Sequence, residues 1–361
     1  MRRTLITLAL PVLFPVASAS SQSARNFDRV RLADGVYAFV QHDPLRTPVD
    51  GNSTVIIGDA DVVVVDSRST PASARALIAE IRALTSRPVR YVINTHWHSD
   101  HHYGNDAFRK AYPGVEIVSH AATRADMLTQ DNDSSRRANI ASIPGSIVAL
   151  KGMLAAGKGP DGKPMPEEVR SFLGQLVPDL EWSRRQLMQT VIAPPTMTIT
   201  DRLVLHRGAR TIDIRFLGRA NTRGDLVVYL PNERIVITGD VLVAPIPFAF
   251  GSYPGEWVKA LAALRALDAT TIVPGHGPIQ RDWSYLDQVA ALLRTTLAQA
   301  QAAVAEGKDL EATRQAVNLD SLRRLFVGTS AVKAGAFENV YTAPAVERAY
   351  LEAKGQLEKE R

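Results

Sequence analysis

The stretch Thr95-His96-Trp97-His98-Ser99-Asp100-His101-His102 holds four of the eight histidines in the chain. It directly follows residues 89–93, Val-Arg-Tyr-Val-Ile, which read as a short buried strand. Crowded imidazoles repel when protonated and are costly to desolvate. A divalent metal removes both problems by taking their lone pairs. His96 and His98 lie two apart, so an extended backbone aims both the same way. Asp100 and His101 come after the chain can turn, and so face a second ion.

Working outward, residues 54–57 and 62–65 are β-branched runs separated by Gly58-Asp59-Ala60-Asp61, the spacing of a hairpin with one strand buried on both faces. A helix follows, capped by Thr70 with Pro71 at its first position. Its Leu77, Ile78, Ile81 and Leu84 keep the three-and-four spacing of one buried stripe. Further strands are expected at 212–216, 226–230, 234–238 and 271–273, so the class is α/β. Residues 122–193 read as an insertion over one rim: a polar stretch at 129–137, a Gly/Pro/Lys loop at 157–166 and a helix around 166–190. After Asp282 the pattern is helical, with Gly307 as a stop, and residues 281–361 form a helical C-terminal segment that packs on the domain or forms a dimer contact.

The His-x-His-x-Asp-His run resembles the signature of the metallo-β-lactamase superfamily. Two later pieces match in order: Ile235-Val236-Ile237-Thr238-Gly239-Asp240, and Val273-Pro274-Gly275-His276-Gly277. The resemblance spans roughly residues 36–278 and implies an αββα sandwich with metals between the sheet edges, here a domain over 27–280 carrying the insertion and the helical extension. Carried over by position, it implies that His96 and His98 bind a first metal, that Asp100, His101 and His276 bind a second, and that Asp240 bridges them. It also implies zinc, one ion or two, although manganese or iron suits the same imidazole and carboxylate set.

One position departs from the pattern. In Leu217-Gly218-Arg219-Ala220-Asn221-Thr222-Arg223-Gly224-Asp225, Asn221 stands where the third histidine of the first metal is expected. An amide oxygen is a weaker zinc ligand than an imidazole nitrogen, so the first site should be weakened. Three outcomes follow: one metal held by Asp100, His101, His276 and Asp240; two metals with the first held loosely; or a metal site kept for binding after turnover was lost. Nearby, His102 reads as a donor to a ligand or as a solvated loop residue, and His42, His120 and His206 read as structural. Trp97, Tyr103, Phe248, Phe250, Tyr253 and Trp257 are candidates to wall a substrate pocket, against the commoner reading of such aromatics as core. Arg219 and Arg223 are expected to form surface salt bridges rather than to meet a substrate carboxylate.

The whole chain sets outer bounds. With 361 residues, 45% of them hydrophobic, it can bury a sizeable core, and a net charge of +5 without a long basic run argues against nucleic-acid binding. The absence of cysteine excludes disulfides, thiolate ligands and a cysteine nucleophile. Arg2 and Arg3, an apolar stretch over 5–16 and Ala17-Ser18-Ala19 read as a signal peptide over 1–19, which places the mature protein in the periplasm or outside the cell. No later segment reads as apolar enough to span a bilayer, so no membrane anchor is expected. Together these point to an exported zinc-dependent hydrolase in which metal-activated water, oriented by Asp100 or Asp240, attacks an amide or ester carbonyl of a small molecule. A carboxylated, β-lactam-like substrate is favoured. A lactone or other ester is the alternative, and a metal-dependent binding protein without turnover is the competing class.

Overall fold

The computed structural model describes residues 26–159 and 162–357. The signal-peptide reading of residues 1–19 lies outside the described residues. A seven-stranded sheet runs in chain order through β1 (Phe27–Ala33), β2 (Val36–Gln41), β3 (Ser53–Ile57), β4 (Val62–Val65), β5 (Val89–Ile93), β6 (Glu116–His120) and β7 (Met197–Ile199). The first four strands pair antiparallel and the last three pairings are parallel. A second sheet of five holds β8 (Arg202–Arg207), β9 (Arg210–Phe216), β10 (Leu226–Leu230), β11 (Ile235–Val243) and β12 (Thr271–His276), with β11 and β12 parallel.

Alternation along the strands gives each sheet an inner and an outer face. Val36, Ile56, Val63 and Ile93 of the first sheet meet Ile212, Ile214, Val228 and Ile237 of the second in one buried layer. The outer face of the first sheet packs on α1 (Pro71–Leu84), through Leu77, Ile78 and Ile81. The outer face of the second packs on α7 (Pro254–Arg265) and α8 (Ser284–Ala305), through Trp257, Leu261, Val289 and Leu293. This is an αββα sandwich. Thr70 caps α1 by accepting from the Ser73 N–H at 3.0 Å, as its position before Pro71 predicts.

Between β5 and β6 lie α2 (Ser99–His102) and α3 (Asn105–Ala111); between β6 and β7 lie α4 (Ala121–Thr129), α5 (Asp133–Ala156) and α6 (Glu167–Leu187). The polar stretch at 129–137 runs from the last residue of α4 into the first turn of α5, a helix of 24 residues. Asn132 caps it by accepting from the Ser134 and Ser135 amides, so the Ser/Asn-rich composition marks a helix start. By length and composition α5 is also apolar enough to cross a membrane, which corrects the expectation that no later segment is. Its apolar residues have a protein partner on one side: Ile140, Ile143 and Ile147 pack with Leu180 and Leu187 of α6. Beyond α8 the chain forms α9 (Leu310–Ala316), α10 (Asp320–Val327), α11 (Ala331–Ala336), a π-helical turn (Phe337–Thr342) and α12 (Ala343–Ala353), which buries Ala345, Val346 and Ala349. Gly307 follows α8 at φ 79°, the left-handed geometry that glycine accepts without strain.

Candidate metal centre

Parallel pairing of β4 with β5, and of β11 with β12, puts the C-terminal ends of these strands at one rim. Two ligand triads converge there. His96, His98 and Asp240 form one and Asp100, His101 and His276 the other, with the candidate ligand atoms of each triad within 4.8 Å of one another. Asp240 faces both, its Oδ2 lying 3.4 Å from His96 Nε2 and its Oδ1 3.3 Å from His101 Nε2 and 3.5 Å from His276 Nε2. The six histidines and carboxylates that the resemblance names as ligands therefore meet in one cluster.

Local structure explains the aim of each side chain. His98 is extended at φ −64°, ψ 139°, and α2 then turns Asp100 and His101 back, the change of direction expected between the two pairs. Asp240 lies within β11, and His276 is the last residue of β12. The β11–β12 register slips at Gly239, an irregularity that turns the Asp240 side chain to the rim. A Cβ on Gly275 would sit 2.0 Å from Asp240 Oδ1, so only glycine leaves room for that carboxylate. Asn52 donates from Nδ2 to the Pro274 and Gly277 carbonyls at 3.0 and 2.9 Å, tying the His276 segment to the start of β3.

Asp66, at the end of β4, escaped the sequence reading. It accepts from the Thr95 amide and hydroxyl, each at 2.8 Å, and from His101 Nδ1 at 2.7 Å. Its signal was its position, a lone carboxylate directly after four buried valines. These bonds assign tautomers. With the Thr95 hydroxyl donated to Asp66, its oxygen accepts from His96 Nδ1 at 3.0 Å, and both His96 and His101 are left with Nε2 as a lone pair aimed inward.

That arrangement suits a cation. His96 Nε2 faces His98 Nδ1 at 3.0 Å and His101 Nε2 faces His276 Nε2 at 3.2 Å, nitrogen against nitrogen in a buried site. Burial, followed by the neighbouring His96, pushes His98 down to about 3, so it is a neutral ligand at physiological pH. Burial alone would push the carboxyls of Asp100 and Asp240 up. For both, His101 and then His276 outweigh it, with His96 also acting on Asp240, and hold them well below the usual carboxylate range. Burial likewise opposes charge on His101 and His276, but the surrounding carboxylates raise both. Two carboxylates held as anions among imidazoles packed nitrogen against nitrogen call for a shared positive partner, and this donor set fits zinc, manganese or iron.

Asn221 sits on the β9–β10 loop, fully buried. Its Nδ2 donates to the Phe248 carbonyl, and the Phe248 ring lies 5.3 Å from that of His98. Its Oδ1 has no hydrogen-bond partner among the described residues. The amide is thus clamped by its nitrogen beside the first triad, leaving an unmatched buried oxygen of the kind a weak ligand would supply. Asp225 holds the loop by accepting from the Ala220 and Thr222 amides at 3.2 and 2.7 Å.

His102 departs from both of its expected roles: it is buried and bonds Asp131 through Nε2 at 2.8 Å, while the Tyr103 hydroxyl donates to the same carboxylate at 2.6 Å. Arg219 pairs with Glu256, and Arg223 grips Asp126 with Nη2 to Oδ1 at 2.7 Å, as surface salt bridges. Of the candidate aromatics, Trp97, Tyr103 and Phe248 line a cavity of about 890 Å³ that also opens on His98, Asp100, Asp240 and His276. Phe250 is exposed, Tyr253 lies under Arg219 at 4.3 Å, and Trp257 is core, its Nε1 donating to the Val241 carbonyl.

Fold and site together define a class: a profile of the metallo-β-lactamase superfamily matches residues 46–276, and the chain belongs to that superfamily. Among curated proteins, it is 25% identical over 233 residues to a linear primary-alkylsulfatase from Pseudomonas sp., a match covering 62% of this chain and 41% of the relative. The chain thus spans well under half the length of that relative. Among solved structures, the metallo-β-lactamase from Pontibacter korlensis superposes with TM-score 0.52 at 17% identity, over 74% of this chain and 99% of that one. A stereoselective inverting sec-alkylsulfatase from Pseudomonas sp. does so with TM-score 0.59 at 14% identity, over 90% of this chain and 50% of that one. These likenesses are of fold.

Proposed function

We propose that this protein hydrolyses esters of aliphatic alcohols, sulfate or carboxylate, at a metal centre held by His96, His98, Asp100, His101, Asp240 and His276, with Asn221 as a weak additional ligand. The observation that carries this reading is the cavity on the rim: beyond the metal-facing groups its lining is dominated by apolar side chains, and no lysine or arginine lines it among the described residues. That lining suits an aliphatic chain better than a compact polar bicycle, so the reading moves from the lactam favoured by sequence to its ester alternative. The likeness to an alkylsulfatase supports the same direction.

A divalent cation bound here supplies Lewis acidity and lowers the pKa of coordinated water from about 15.7 toward about 7. Asp100 is the more exposed carboxylate of the pair, at 19% against 4% for Asp240, and it lines the cavity. Held as an anion, it accepts a hydrogen bond from the attacking water and orients it toward the ester. Asp240, anionic and buried between the triads, fixes the positions of His96, His101 and His276. Trp97 and Phe248 cover the first triad and exclude bulk water. Export of the mature protein after residue 19 is part of the proposal and is read by N-terminal sequencing of the periplasmic fraction.

The test is elemental analysis of the purified protein together with a panel of octyl sulfate, octyl acetate, a lactone and nitrocefin. Chelator-sensitive turnover of an octyl ester, lost together with bound metal in Asp240→Ala, is the expected result. Turnover of nitrocefin alone would return the lactam reading, and a protein indifferent to metal would overturn the site.

A further inference from the structure

The rim cavity extends beyond the metal ligands, and its remote wall does not come from the sandwich. Val169, Phe172 and Leu173 of α6 face it from the insertion, and Val332 and Ala336 of α11 face it from the C-terminal segment. These two additions lie far apart in sequence yet are fastened to each other and to the rim. The Glu168 carboxylate at the start of α6 accepts from the Ala331 amide at 2.7 Å. Arg46, on the loop before β3, grips Asp179 of α6 through two bonds of 2.7 and 3.0 Å. Asp179 is buried, so this pair locks α6 over the rim rather than decorating its surface.

We propose that α6 and α11 jointly form a subsite for the aliphatic chain of the substrate, with Leu173 and Val332 setting the chain length accepted. The proposal rests on the ester-hydrolase reading above and deepens it. Three observations converge. The wall is continuous with the metal rim, so a chain attached to a reacting ester at Asp100 and His276 can extend along it. The cleft volume, about 890 Å³, is at the upper end of the roughly 300–1,000 Å³ usual for small-molecule sites and exceeds what a short ester needs. The residues on this wall offer no charged group that would have to be desolvated by a methylene chain.

The test is a chain-length series of n-alkyl sulfates and n-alkyl acetates from ethyl to decyl, with kcat/KM measured for each. Buried methylene groups should raise kcat/KM about two- to fourfold apiece until the wall is reached. Val332→Trp, at a half-buried position that faces the cavity and not the core, should cut the octyl-to-ethyl ratio at least tenfold. Leu173→Ala should shift the preferred length upward. Metal content equal to that of the parent certifies the fold of each variant. Calorimetric binding of 1-octanol to the metal-stripped protein reads the subsite without turnover and should weaken in Val332→Trp. A flat chain-length profile, or one unchanged in both variants, overturns the subsite while leaving ester hydrolysis intact. Absence of hydrolysis at every chain length, with octanol still bound, overturns the activity and leaves the subsite standing.

Discussion

At the scale of the residue, the centre depends on which atoms are free to donate a lone pair. Asp66 touches no proposed metal directly, yet by accepting from His101 Nδ1 and Thr95 Oγ1 it sets two imidazoles in the orientation a cation requires. Asp66→Ala should therefore weaken metal affinity by about 10- to 100-fold, the usual effect of losing such a partner, and competition with a chromophoric chelator measures it. Unchanged affinity would mean that burial alone orients His101. Asn221→His should raise the metal content if ligand strength limits the first triad. No rise would place the limit in the surroundings that clamp Asn221, beginning with the Phe248 carbonyl.

At the scale of the element, helix starts carry the link between sheets and site. His120 ends β6 and caps α4, its Nδ1 accepting from the Ala122 amide at 3.1 Å while Nε2 donates to the Thr200 carbonyl at 3.2 Å. Only the neutral ring can do both. Burial, the largest influence, lowers its pKa against the smaller opposing pull of the Thr200 carbonyl. The unfolded chain, near 6.5, then binds the proton more readily. Stability from this group is thus complete above that pH and is lost as pH falls from it toward the folded value. His120→Asn keeps a capping acceptor that does not titrate, so the fall in Tm between about pH 6.5 and 5 should be shallower in the variant, with a difference at pH 8 of about 1 kcal/mol or less. An equal slope in both proteins would remove His120 from the pH response.

At the scale of the whole molecule, the rim joins strands from both sheets, and a cation bound there staples the halves of the sandwich. His96, His98, Asp100 and His101 follow the first sheet, whereas Asp240 and His276 belong to the second. A ligand that binds only the folded state at a hundredfold excess over its Kd adds about 2.7 kcal/mol of stability. Removing metal by dialysis against chelator should accordingly lower Tm by several degrees, with recovery on adding zinc, followed by calorimetry. A Tm insensitive to both treatments would show that the sheets hold together without the cation.

The candidate ligands that cluster at the rim were legible in the sequence because their information is local: a histidine-rich run after a strand, and Gly-Asp and Gly-His-Gly at later strand ends, are patterns of neighbouring residues. The α/β class and the cap of α1 were legible for the same reason, since periodicity and capping act within a few residues. Asp66, the Arg46–Asp179 lock and the Asp131 bonds to His102 and Tyr103 were not, because each partner lies from 28 to 133 positions away in the chain. Start-of-helix chemistry at Asn132 showed in the sequence only as a polar stretch, since Ser and Asn are common both at helix starts and in turns. What the chain dictated by itself was therefore the metal-binding alphabet and the strands that carry it. Only the tertiary structure decided what faces the metal from across the rim, because an apolar wall built from the insertion and the C-terminal helices exists once distant segments pack, and no short window of sequence contains both sides of it.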